Sequence, residues 1–182
     1  MNKATKGAVA AGGAAVLLLG GLGSFALWQD STDTEGGTIT SGELDIEPDG
    51  TPVWREISGD VNAASVIDPV TYRIVPGDII EFTADYNILA EGDNLLADLK
   101  ADTATITGDA ALRSAIGTPT VTATSGGTQL PTDGTSARIT SEDQDVQVKV
   151  TFTFNEATTD QIAQNETLNL ENFTLDLVQV RP

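Results

Sequence analysis

The strongest constraint on this chain is an apolar pattern of period two that recurs at well-separated places. Val146, Val148, Val150, Phe152 and Phe154 alternate with Gln147, Lys149, Thr151 and Thr153. A strand turns successive side chains to opposite faces, so this spacing sends one set into a core and the other into water. Ile80, Phe82, Ala84, Tyr86 and Ile88 alternate in the same way with Glu81, Thr83, Asp85 and Asn87. Leu44 and Ile46 do so against Glu43, Asp45 and Glu47, with a bulge or bend expected at Ser41-Gly42. Near the C-terminus Leu168 and Leu170 hold one phase, while Phe173, Leu175 and Leu177 hold the other, which predicts a bulge near Glu171-Asn172.

Weaker strands are predicted at Trp54 to Ile57, Thr71 to Val75, Leu96 to Ile106, Thr118 to Ala123 and Ala137 to Thr140. Pro76-Gly77-Asp78, Glu91-Gly92-Asp93-Asn94, Gly126-Gly127 and Asp133-Gly134 separate them with residues that tolerate tight turns. Asp109 is placed to cap a short helix over Ala110 to Ile116 that stops at Gly117, and Thr158 or Thr159 to begin another over Asp160 to Gln164. Many short strands with Gly and Pro turns point to an all-β fold. The expected architecture is an antiparallel β-sandwich, jelly-roll-like, with short connecting helices and an N-terminal signal helix.

The N-terminus has a different character. Lys3 and Lys6 precede an uncharged Ala/Gly/Leu run from Gly7 to Leu22, and the small residues Ser24 and Ala26 lie at its far end. This is the build of an export signal. A single membrane span is the alternative, since Gly7 to Trp28 is close to the ~20 apolar residues that cross a bilayer. The Gly and Ala content makes a weak anchor, and a small-x-small site beside Leu27 invites cleavage between Ala26 and Leu27. The expected organisation is a signal peptide over residues 1–26, a flexible N-terminal arm over 27–37 and a β-sandwich domain over 38–182.

Composition narrows the chemistry. The formal charge is -18, and loss of Lys3 and Lys6 with the signal would take it to -20. So acidic a domain repels nucleic acid and anionic lipid, which leaves the uncleaved signal as its membrane contact. There is no Cys for disulfides or thiolate chemistry, and no His for a neutral-pH base or a zinc site. Ser-His-Asp, Cys-His and zinc-hydrolase centres are therefore ruled out.

Gly23-Ser24-Phe25-Ala26-Leu27-Trp28-Gln29-Asp30, followed by Thr38-Ile39-Thr40-Ser41-Gly42-Glu43-Leu44-Asp45-Ile46, resembles the TasA/camelysin family of Gram-positive bacteria. Ile74-Val75-Pro76-Gly77-Asp78, Gly92-Asp93-Asn94-Leu95 and Leu175-Asp176-Leu177-Val178-Gln179 add to the likeness as short islands. The resemblance implies export under an alternate signal cut by a SipW-type peptidase, and a β-sandwich fold. It also implies assembly in which one subunit's N-terminal segment adds a strand to a neighbour. Some camelysin relatives are linked to metalloprotease activity, but no zinc-binding motif is present to carry that over.

Other candidate sites also have plainer readings. Glu43, Asp45 and Glu47 are carboxylates on one strand face, yet a glycosidase needs a pair in a cleft and alternating acids usually mark a wet face. Calcium suits an oxygen-only set. Its candidates are Asp30, Asp33 and Glu35, and Glu142, Asp143 and Asp145, though neither group follows an EF-hand spacing and both also read as solvated loop charge. Trp54 and Tyr72 could stack on sugar or pack in the core. The sequons at Asn165 and Asn172 are given no role. After Val180 the chain shows no apolar tail and no Leu-Pro-x-Thr-Gly signal, so covalent wall attachment is not expected.

The expected function is a secreted, non-enzymatic structural protein, a filament or biofilm-matrix subunit that needs no cofactor. Its partners would be other copies of itself and, during export, a signal peptidase. Leu27, Trp28 and Ile39 would be the apolar anchors of the assembly arm. The alternative is a secreted monomeric module that binds carbohydrate or a cell-surface partner.

Overall fold

A computed structural model describes residues 36–61, 63–140, 142–171 and 173–181. The chain divides into two units, Met1–Ile39 and Thr40–Pro182, and the strands belong to the second. The strands are β1 (Glu43–Glu56), β2 (Ser65–Val66), β3 (Ile79–Glu91), β4 (Leu96–Asp102), β5 (Thr107–Gly108), β6 (Thr120–Ser125), β7 (Thr128–Gln129), β8 (Ser136–Thr140), β9 (Gln144–Thr153), β10 (Leu168–Asn169) and β11 (Thr174–Val180). A 3₁₀ turn at Thr103–Thr105 and one helix, α1 (Ala110–Ile116), lie between β4 and β6.

All pairings are antiparallel. Six strands form a sheet in the order β2-β1-β3-β9-β6-β7, three form a second in the order β11-β4-β8, and β10 and β5 make a small third. From β3 onward the longer strands alternate between the two larger sheets: β3, β6 and β9 in one, β4, β8 and β11 in the other.

The period-two pattern does what its spacing predicts. Ile80, Phe82, Ala84, Ile88 and Ala90 of β3 are buried, as are Val146, Val148, Val150 and Phe152 of β9, which runs beside it. Leu99 of β4 and Ala137 and Ile139 of β8 join the same apolar cluster from the smaller sheet. The two inner faces thus share one core, the arrangement of a β-sandwich. Trp54, Phe82, Phe152 and Phe173 pack ring against ring with centroids 5.2 to 5.7 Å apart, mostly edge to face.

Several sequence expectations need correction. The Leu44 and Trp54 strands are a single ladder against β3, interrupted where Asp49 faces Asp85 and Val53 faces Thr83. Gly50, with φ of 95°, and Pro52 take up the extra length there. The phase change near Glu171 is no bulge. Leu168 pairs with β5, the chain turns with Phe173 N-H donating to the Leu170 carbonyl at 3.1 Å, and β11 then enters another sheet.

Thr71 to Val75 is not a strand. The Asp68 carboxylate accepts from Val70 N-H at 2.9 Å and its carbonyl from Tyr72 N-H at 2.9 Å, which winds the segment into a turn. Asp160 to Gln164 is not a helix, because Asp160 and Ala163 adopt φ of 62° and 61°. The predicted Leu96 to Ile106 strand ends at Asp102, whose carboxylate accepts from Ala104 N-H and opens the 3₁₀ turn.

Candidate functional site: open strand edges

A sheet edge is available to another chain only where its backbone groups have no partner. The outer sides of β6 and β8 are covered. Val121 N-H donates to the Gly134 carbonyl and Leu130 N-H to the Ala123 carbonyl, both at 2.9 Å, along the outer side of β6. Arg138 N-H donates to the Pro131 carbonyl at 2.7 Å and Asp133 N-H to the Ser136 carbonyl at 3.3 Å, along the outer side of β8. β2 covers β1 only at Arg55 and Glu56. Among the described residues the long free stretches are β1 up to Val53 and the whole of β11; the two-residue strands β2 and β7 end the larger sheet and also have a free side.

Hydrogen-bond phase shows which residues face outward there. In an antiparallel pair, a residue's N-H and C=O both point toward one neighbour, and the next residue's point the other way. Arg138 points away from β4, so its partner Asp98 points toward β11 and bonds Val178. Asp176 and Val180 share that direction. Leu175, Leu177 and Gln179 therefore present their N-H and C=O groups to the free side. For β1, Ile57 N-H donates inward to the Ile79 carbonyl at 2.8 Å, while the Trp54 carbonyl accepts outward from Ile67 N-H at 2.9 Å. Carried along β3, the phase turns Leu44, Ile46 and Pro48 to the free side.

The two edges differ in character. β1 carries Glu43, Asp45, Glu47 and Asp49, an outward Pro48 with no N-H, and the Gly50 to Pro52 interruption. Such features discourage edge pairing. β11 is seven residues long, has no Pro or bulge, and carries Asp176 as its one charge.

The signal helix, the Ala26-Leu27 cut, Leu27 and Trp28 of the arm, and Asp30, Asp33 and Glu35 lie outside the described residues. Ile39 is 96% exposed. Glu142 and Asp145 are exposed, and the Asp143 carboxylate accepts from Ala90 N-H at 3.1 Å at the end of β3. Among the described residues no three acidic side chains gather as a metal site. Glu43, Asp45 and Glu47 are exposed along β1. Trp54 has Phe82 and Phe152 against its ring, so it belongs to the core.

A polar network is buried at the end of β1. Glu56 and Ser58 are each 4% exposed. The Glu56 carboxylate accepts from Ser58 N-H at 2.7 Å, from the Ser58 hydroxyl, and from the Tyr72 hydroxyl at 2.5 Å. Ser58 Oγ in turn accepts from Ile79 N-H at 2.7 Å. Burial would raise the Glu56 pKa, but the hydrogen bonds from Ser58 and Tyr72 outweigh it and hold the group below its ordinary value. Tyr72 is pushed up by desolvation first, then by its bond to Glu56 and the charge of Asp78. No local pattern links Glu56 to Tyr72, which lies sixteen residues away in sequence.

Beside the network lies a groove of about 860 Å³ between residues 67–76 and 158–170. Val70, Val75 and Ile162 are exposed on its wall, 84%, 55% and 55% respectively. Asp160, Ala163 and Asn165 line it with φ near 60°, a conformation that costs non-glycine residues about 1 to 3 kcal/mol each. Set against protein-family models, curated proteins and solved structures, the chain shows no significant match.

Proposed function

We propose that the protein is an exported, non-enzymatic structural subunit that associates by β-strand addition into extracellular filaments or matrix. The observation that carries this reading is a pair of sheet edges with outward N-H and C=O groups above partly buried Leu44, Ile46, Leu175 and Leu177. An added strand would satisfy those groups and cover apolar surface in one step. The resemblance to the TasA/camelysin family supports the same reading, with the arm from Leu27 to Thr40 as donor. The alternation of β3 to β11 between sheets supports jelly-roll-like winding.

The donor is tested by comparing chains that begin at Leu27 and at Thr40, by electron microscopy and sedimentation. Filaments from the first and none from the second are expected; equal assembly would sink the arm's role. N-terminal sequencing of the secreted protein should begin at Leu27. A second reading, a monomeric module for carbohydrate or a surface partner, is favoured by the groove and its strained wall. Binding on a glycan array by a protein that stays monomeric would establish it.

A further inference from the structure

We propose that β11 is a self-complementary interface: two copies pair their β11 strands antiparallel about Leu177, joining two three-stranded sheets into one of six strands. The outward residues Leu175, Leu177 and Gln179 are symmetric about Leu177. A two-fold axis there sets Leu177 against its counterpart and Leu175 against the other copy's Gln179. Each such pair exchanges two backbone hydrogen bonds, so all the free groups on both edges are satisfied. Centring the axis on Asp176 would pair only Leu175 with Leu177, and would bring the two Asp176 carboxylates together. About Leu177, Asp176 instead faces Val178, and Thr174 faces Val180.

Charge selects this sheet for contact between like copies. The strands β4, β8 and β11 carry Asp98, Asp102 and Asp176 against Lys100 and Arg138, with Arg138 Nε donating to Asp98 Oδ1 at 2.6 Å. That is a net charge of -1. In the larger sheet Glu43, Asp45, Glu47, Asp49, Glu56, Glu81, Asp85, Glu91 and Asp145 oppose only Arg55 and Lys149, a net of -7. A second copy meets least repulsion at β11. Thr174, Val178 and Gln179 are exposed along it, so the strand is accessible. The contact uses one of the two long open edges found among the described residues and does not require the N-terminal arm, so each can fail without the other.

The chain has no cysteine, so a single introduced one reports the geometry. Directly opposed hydrogen-bonded residues have Cα atoms ~5.5 Å apart, within disulfide range. Leu177→Cys should form a covalent dimer on mild oxidation. Thr174→Cys should not, because its counterpart would lie six positions along, ~20 Å away at ~3.4 Å per residue. Gln179→Pro removes an N-H that the monomer does not use and should weaken dimerisation in sedimentation equilibrium at least about tenfold, with Gln179→Ala as control. If Gln179→Pro fails to fold, the two cysteine variants decide. Three results would overturn the proposal: a protein monomeric at every concentration, equal crosslinking by both cysteines, or a dimer lost when residues before Thr40 are removed.

Discussion

Glu56 shows how much one side chain can settle. It closes β1 as a nearly inaccessible carboxylate, and both its oxygens accept hydrogen bonds. Removing its charge leaves Ser58 and Tyr72 with a poorer acceptor, and a buried group deprived of its partner costs about 1 to 3 kcal/mol. Glu56→Gln should lower stability by that order in urea denaturation at pH 7. Its folded pKa lies below the ordinary 4.5, so its contribution is present above that value and is lost as pH falls through the folded pKa. The stability difference between wild type and Glu56→Gln should therefore shrink on acidification below about 4.5; a constant difference would contradict the role. The chain's two tyrosines make a second titration test. Tyr72 and Tyr86 are both raised from 10, chiefly by desolvation. Tyrosinate absorbance at pH 10 should thus be lower in the folded protein than in the unfolded chain, and rise when the protein unfolds. None of this was legible in the sequence, because Glu56, Ser58, Tyr72 and Asp78 meet only when the loop between β1 and β3 folds back.

At the level of elements, local rules hold where the signal is periodic or steric. α1 spans Ala110 to Ile116 and stops at Gly117 with φ of 68°, as its sequence requires. Its cap is not local. Asp109 accepts from Thr167 N-H at 2.8 Å instead, and Glu166 reaches across to accept from Leu112 N-H at 2.7 Å. Glu166→Ala should cost about 1 kcal/mol, the usual worth of a helix cap, and Asp109→Ala should also loosen the 166–168 segment. Thermal melts of the two variants check this, and a neutral Glu166→Ala would show that the cap contributes nothing. The β6 to β7 hairpin turns on Gly126 and Gly127, with φ of 55° and 79°, the two positive values that a two-residue hairpin favours. Gly42 is needed for another reason: a Cβ there would collide with the Glu91 carbonyl.

Across the whole molecule, negative charge opposes strand pairing in places. Glu43 lies directly across from Glu91 and Asp49 from Asp85, both like-charged pairs on the β1 and β3 ladder. Gln147 donates to Asp85 at 3.0 Å, and Lys149 to Glu81 at 3.2 Å further along. At 0.1 M salt the screening length is about 10 Å, so raising salt from low values should increase the melting temperature and tighten the β11 dimer. A melting temperature that fell over that range would mean that attractive pairs dominate. The sequence by itself determined the strand faces, the glycine turns, α1 and the sandwich class. Those follow from the period of two and from backbone sterics, which act over a few residues. Tertiary structure decided the rest: the fusion of two predicted strands into β1, the break between β10 and β11, the Glu56 network and the distant cap of α1. It also decided which edges stay unpaired, because hydrogen-bond phase is fixed by the neighbouring strand and by no residue of β11 alone.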